Sequence, residues 1–191
     1  MKILDAPCPF WKDKSLKVKD THLLTLIPKT LDGKEFSLDL LGEIIMRPKS
    51  GHFALYGYYK EELKKAVGST PVNESYWILI TINAIPGSRS ENFEEQKKLL
   101  KKFAEESQFS YGLPKTIEAA TAILTHHVKT GQKFYLKYSP ICYTRCEEVV
   151  SGQTIPTMIG NFSDNGLFLE TYASFGKNIG ASGSLKLPPG K

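Results

Sequence analysis

Cys142 and Cys146, four residues apart in the run Cys142-Tyr143-Thr144-Arg145-Cys146, and the pair His126-His127 are the residues whose types best suit nucleophilic or metal chemistry. A thiol beside an imidazole is a nucleophile with its own base. Two thiols at short spacing hold a metal or close a disulfide. The run reads as a strand, where four residues span roughly 13 Å. That exceeds the ~7 Å between Cα atoms that a disulfide tolerates. It is also too far for two ligands of one zinc, and no second Cys or His pair stands at metal spacing. What remains is a cysteine nucleophile, Cys146 or Cys142, with His127 as base. The plainer alternative is small core residues on one strand face. At 100° per residue from Ile117, His126 falls about 180° from the apolar side of its helix and His127 about 80° from it. The two histidines therefore do not share a metal, and His127 sits at the core border. No local cysteine-hydrolase signature surrounds the thiols.

A second candidate is the turn Ile85-Pro86-Gly87-Ser88-Arg89-Ser90, between a strand and a helix start. Gly87, Ser88 and Arg89 can offer N–H groups and a cation to an anion. One glycine is not a phosphate fingerprint, and the Lys-Ser/Thr ending of a P-loop is missing. Helix capping by Ser88 with Glu91 is the competing account. Lys97, Lys98, Lys101 and Lys102 suggest a nucleic-acid helix, but Glu91, Glu94, Glu95, Glu105 and Glu106 share it. The pairs Glu94–Lys98 and Lys102–Glu106 make it a solvated face.

The elements that must carry these residues follow from periodicity. Residues 1–20 read as an irregular opening segment pinned by Phe10-Trp11. Residues 22–28 read as a strand returning through an Asp32-Gly33 turn to Lys34-Glu35-Phe36, an N-terminal hairpin. Ser37 caps a short helix to Met46. Tyr76 to Ile82 is nearly all apolar, as in a central strand buried on both faces. Two main helices follow. One spans about 90–106. The other opens at Pro114, carries an Ile117/Ala120/Leu124/Val128 stripe and closes at Gly131. Strands are expected near 142–150, 155–162, 166–173 and 179–187, a C-terminal antiparallel meander over 140–187. The class is α+β, with residues 1–191 as a single domain.

The chain has 191 residues, 41% of them hydrophobic, enough for a sizeable core. Its net charge of +5 comes from 25 basic and 20 acidic residues spread along the chain, not gathered into a nucleic-acid face. Three cysteines suit a reducing compartment. No stretch approaches the roughly 20 apolar residues of a membrane span, and the start carries no signal-peptide core. The expected location is cytoplasmic, or a host cytosol reached without a recognisable N-terminal signal. No cofactor or metal is expected. Tyrosines Tyr56, Tyr58, Tyr59, Tyr135, Tyr138 and Tyr172 tilt the expectation toward protein contacts.

Several stretches carry a resemblance: Pro7-Cys8-Pro9-Phe10-Trp11, Thr21-His22-Leu23-Leu24 through Ile27-Pro28, Tyr76-Trp77 through Arg89, Leu113-Pro114 through Glu118-Ala119, His126 to Gly131, and Tyr143-Thr144-Arg145-Cys146. On these the chain resembles an uncharacterised domain family of F-box-like proteins from amoeba-associated, chlamydial-type intracellular bacteria. The family tends to close on a Gly-Val-Ala-Ala-Leu-Arg-like strand, where this chain has Ile179 to Leu187. The resemblance carries no catalytic residues. It implies a protein-interaction module, the target-binding part of an adaptor. An enzyme using Cys146 or Cys142 with His127 is the alternative. An anion or nucleic-acid binder through Arg89 is the weaker one.

Overall fold

The computed structural model describes residues 2–58, 60–135, 142–150, 155–171 and 177–188. Its centre is the helix α5 (Thr116–Thr130), which packs against strands of two different sheets. The first sheet has the order β1-β5-β10, with β1 His22–Ile27, β5 Tyr76–Thr81 and β10 Ser184–Lys186, all antiparallel. The second has the order β4-β8-β7-β6-β9. Its strands are β4 Tyr56–Tyr58, β6 Tyr143–Val149, β7 Pro156–Ser163, β8 Gly166–Thr171 and β9 Ile179–Ala181.

α5 fits between the sheets because its middle is small and apolar. Ala119, Ala120 and Ala122 let strands approach closely, while Ile123 and Leu124 fill the space between them. The main core joins Ile27, Ile78 and Ile80 of the first sheet to Cys146, Ile159, Leu167 and Leu169 of the second, around α5 and α2 (Leu38–Met46). Helix α5 is therefore buried nearly all round from Glu118 to Leu124, more widely than a single stripe implies. Gly131 closes it at φ +75, as the αL ending requires.

A second core lies under the other face of the first sheet. Cys8, Phe10 and Val18 of the opening segment meet Leu79, Leu185, Ile85, Tyr111 and Leu100 of α4 (Phe93–Ser107). Phe10 contacts Phe103 and Tyr111 edge to face, at 5.1 and 4.7 Å between centroids. The opening segment holds a 3₁₀ turn at Lys2–Asp5 and a short helix α1 (Val18–Thr21).

The α+β class and the meander β6-β7-β8 stand, and four local readings change. The Asp32-Gly33 turn joins only the small ladder β2 (Thr30–Leu31) and β3 (Lys34–Glu35), both turn residues having positive φ. Strand β1 pairs instead with β5, because its apolar alternation needs a partner that continues a buried sheet. The stretch 179–187 is two strands in different sheets, β9 parallel to β6 and β10 antiparallel to β5. Helix α4 begins at Phe93, where Asn92 Oδ1 accepts from Glu95 N–H at 2.9 Å, and Ser88 takes no part in that cap. Of the tyrosines, Tyr135 is buried and Tyr56 and Tyr58 are half-buried beside a helical turn α3 (Glu61–Leu63). Tyr59, Tyr138 and Tyr172 lie outside the described residues.

Candidate functional site

Strand alternation puts Thr144, Cys146 and Glu148 of β6 on the face turned toward α5, and Cys142, just before the strand, packs against the same core. Cys146 is fully buried beside the Thr116 and Thr157 hydroxyls, at the N-terminus of α5. Burial pushes its thiol well above the usual range, and the Glu148 charge adds to this. His127 stands eleven residues further along α5, about 16 Å at 1.5 Å per residue. Its Nδ1 and Nε2 face the carbonyl oxygens of Gln132 and Phe53, at 3.3 and 3.2 Å. Neither thiol is among its partners, so the cysteine–histidine pair read as an alternative from the sequence is not assembled. Cys142 is half-buried, and burial raises its thiol while Arg89 pulls the other way. Among the described residues no group of three or more His, Cys, Asp or Glu side chains could hold a metal ion.

The turn at Gly87, Ser88 and Arg89 closes the free edge of β9. Ala181 O accepts from Ile85 N–H at 2.9 Å. Ala181 N–H donates to Ser88 Oγ at 3.0 Å, while that hydroxyl donates to Ile85 O at 2.7 Å. Buried Gln96 reaches from α4 to donate to Ser88 O at 2.7 Å. Gly87 makes the turn at φ +81. Gly180 keeps the approach close, since a side chain there would meet Ala84 and Ser88. Arg89 donates to Cys142 Sγ at 3.1 Å and to Lys177 O at 3.3 Å. Its partners are a thiol and a carbonyl, and among the described residues no carboxylate pairs with it. Of the groups that would serve an anion, the Ser88 N–H is spent within the turn, donating to Ile85 O at 3.2 Å, and the Ser88 hydroxyl on the sheet edge.

A cleft of about 1070 Å³ lies elsewhere, between α4, the 66–74 segment and the N-terminus of α5. Glu118 closes its floor. Oε1 accepts from the Tyr76 phenol at 2.9 Å. Oε2 accepts from Lys115 N–H at 2.9 Å and from the Ser184 hydroxyl at 3.2 Å. One carboxylate thus ties β5 and β10 to α5 through three donors. Burial and the Glu118 charge push the Tyr76 phenol far up, so it stays a donor. Glu148 accepts from Thr116 N–H and from its hydroxyl, at 2.8–3.0 Å. Burial still raises its carboxyl against those bonds.

Around this floor stand Lys97, Lys101, Lys115 and Lys186. Lys186 is engaged with Glu74 at 2.6 Å and lies over the Tyr76 ring at 4.4 Å. Lys97 pairs with Glu94. Lys101 and Lys115 are exposed and have no ion pair among the described residues. Leu38, Val67, Val72, Leu100, Leu113 and Ile117 supply apolar wall. The cleft offers a surface for binding, with its polar floor already hydrogen-bonded from within.

Sequence reasoning passed over Tyr76, Glu118, Glu148 and Ser184. Glu118 had one signal, a glutamate at the third helical position reaching back to the helix start. Glu148 and Ser184 had none, because their partners are 32 and 66 residues away.

No family model matches the chain, and neither a curated protein nor a solved structure matches it. No helix among the described residues is long and apolar enough to cross a membrane.

Proposed function

We propose that this chain is a protein-interaction module whose cleft receives an acidic, partly apolar segment of a partner protein. The observation that carries this reading is the pairing of a saturated floor with lysines that have no ion pair among the described residues. Glu118 has three internal donors, so the floor holds its own shape. Lys101 and Lys115 stand at the rim, exposed and without an ion pair among the described residues. Preorganised apolar walls with a few charged groups favour binding at low ordering cost. The resemblance to F-box-like proteins of intracellular bacteria supports the same reading and suggests the target-binding part of an adaptor. Such an adaptor works in the cytoplasm, or in a host cytosol after delivery. The cysteine-enzyme and Arg89-anion alternatives gain no support, since His127 and Arg89 are engaged with internal partners.

The test is proximity labelling in an infected host, with wild type beside Lys101→Glu/Lys115→Glu. Both lysines are exposed, so the double variant should keep the wild-type melting temperature. The expected result is a specific set of labelled proteins that the double variant loses. An unchanged set with an equally stable variant would remove the cleft from the proposal.

A further inference from the structure

We propose that β1 is a self-association edge, through which two copies of this chain pair antiparallel and extend the three-stranded sheet across a two-fold axis. This face is separate from the cleft. On β5, Trp77 O accepts from Leu187 N–H at 2.8 Å and Thr81 N–H donates to Gly183 O at 3.0 Å. The backbone groups of Trp77, Leu79 and Thr81 therefore turn away from β1. In an antiparallel ladder the residues opposite them, Leu26, Leu24 and His22, turn theirs the other way, to the open side of β1. No described residue bonds the backbone of Leu24 or Leu26 there.

An open edge is a template for another strand, and proteins usually blunt it with charge, proline or a bulge. Strand β1, His-Leu-Leu-Thr-Leu-Ile, contains no Asp, Glu, Lys, Arg or Pro, and its register with β5 runs unbroken. Instead it exposes leucines, Leu24 at 43% and Leu26 at 42%, with Trp77 at 47% opposite Leu26.

The strand is self-complementary. A symmetric register with Thr25 on the axis places Leu24 opposite Leu26 of the second copy, twice. Each pair brings outward N–H and C=O groups together and sets two leucines side by side on one face. The flanking charges agree with the antiparallel direction. Asp20 precedes the strand and Lys29 follows it, both exposed and neither in an ion pair among the described residues. Antiparallel pairing brings Lys29 of one copy within one residue of Asp20 of the second. A parallel arrangement would set like charges together.

Sedimentation equilibrium over a wide concentration range tests this with the full chain. The wild type is expected to dimerise. Leu24→Lys changes an exposed side chain, so it should keep the wild-type melting temperature and be monomeric. Lys29→Asp sets acid beside Asp20 and should weaken the dimer by about tenfold. The exchange Asp20→Lys/Lys29→Asp should restore it. A wild-type monomer throughout, or a dimer that Leu24→Lys leaves unchanged, overturns the proposal. A double exchange no tighter than Lys29→Asp alone overturns it as well.

Discussion

Tyr76 and Glu118 lock the first sheet to the buried helix, the phenol of β5 donating to the carboxylate of α5 across 2.9 Å. The contact joins residues 42 positions apart and shares its carboxylate with Ser184 of β10. Tyr76→Phe keeps the ring under Lys186 and removes one donor from a nearly buried charge. The loss should cost about 1–3 kcal/mol, or about 2–4 °C of melting temperature per kcal/mol at this size. A variant within a few tenths of a kcal/mol of wild type in urea unfolding would show that the lock is redundant.

His22 makes stability depend on pH. Burial holds its folded pKa down at about 4, from an ordinary value of 6.5. Between those values the unfolded chain binds the extra proton, so stability rises with pH across the window and is complete above it. It is lost as pH falls from about 6.5 toward 4. His22→Phe keeps a ring stacked on Phe10 and in contact with Tyr111 and removes the titration. The urea midpoint should fall less between pH 7 and pH 5 in the variant than in wild type. Equal falls would assign the acid sensitivity to other groups.

Arg145 is an unusual core residue. It is 3% exposed, and its Nε and Nη2 have no hydrogen-bond partner among the described residues. Burial lowers its pKa. Removing half of a buried ion pair is costly, but here no partner among the described residues is left behind. Arg145→Met should therefore be neutral or stabilising, by up to about 1–4 kcal/mol, as when buried charges give way to well-packed apolar side chains. A clear drop in the denaturation midpoint would mean that the guanidinium is satisfied in solution.

Ser88 is predicted to protect a sheet edge. Ser88→Ala leaves the buried Ala181 N–H without its acceptor, at a cost of about 1–3 kcal/mol. Hydrogen exchange should quicken at Ile179–Ala181 first, while the middle of α5 stays protected. Uniform loss of protection would make the turn part of the global unfolding unit.

The sequence by itself determined what depends on neighbours a few residues away. Helix α5 was legible in its 3–4 spacing and its terminal glycine, and α4 in its amphipathic run of Glu and Lys. The apolar run from Tyr76 marked a central strand, and the strands expected near 155–162 and 166–173 marked β7 and β8. Local order also limited the chemistry, since a strand cannot bring Cys142 and Cys146 into one bond. Tertiary structure alone decided which strand β1 would pair with, because the Asp32-Gly33 turn and β5 competed for it and only β5 continues a buried sheet. It divided 179–187 between two sheets, where Gly180 and Ser88 let one edge be sealed against the 85–96 segment. It separated His127 from Cys146 by most of a helix length, and it assembled Tyr76, Glu118, Glu148 and Ser184 from distant parts of the chain. The physical reason is the same in each case. Periodicity records which side of an element is buried, whereas a buried polar contact depends on which elements meet, and packing of the two sheets around α5 sets that.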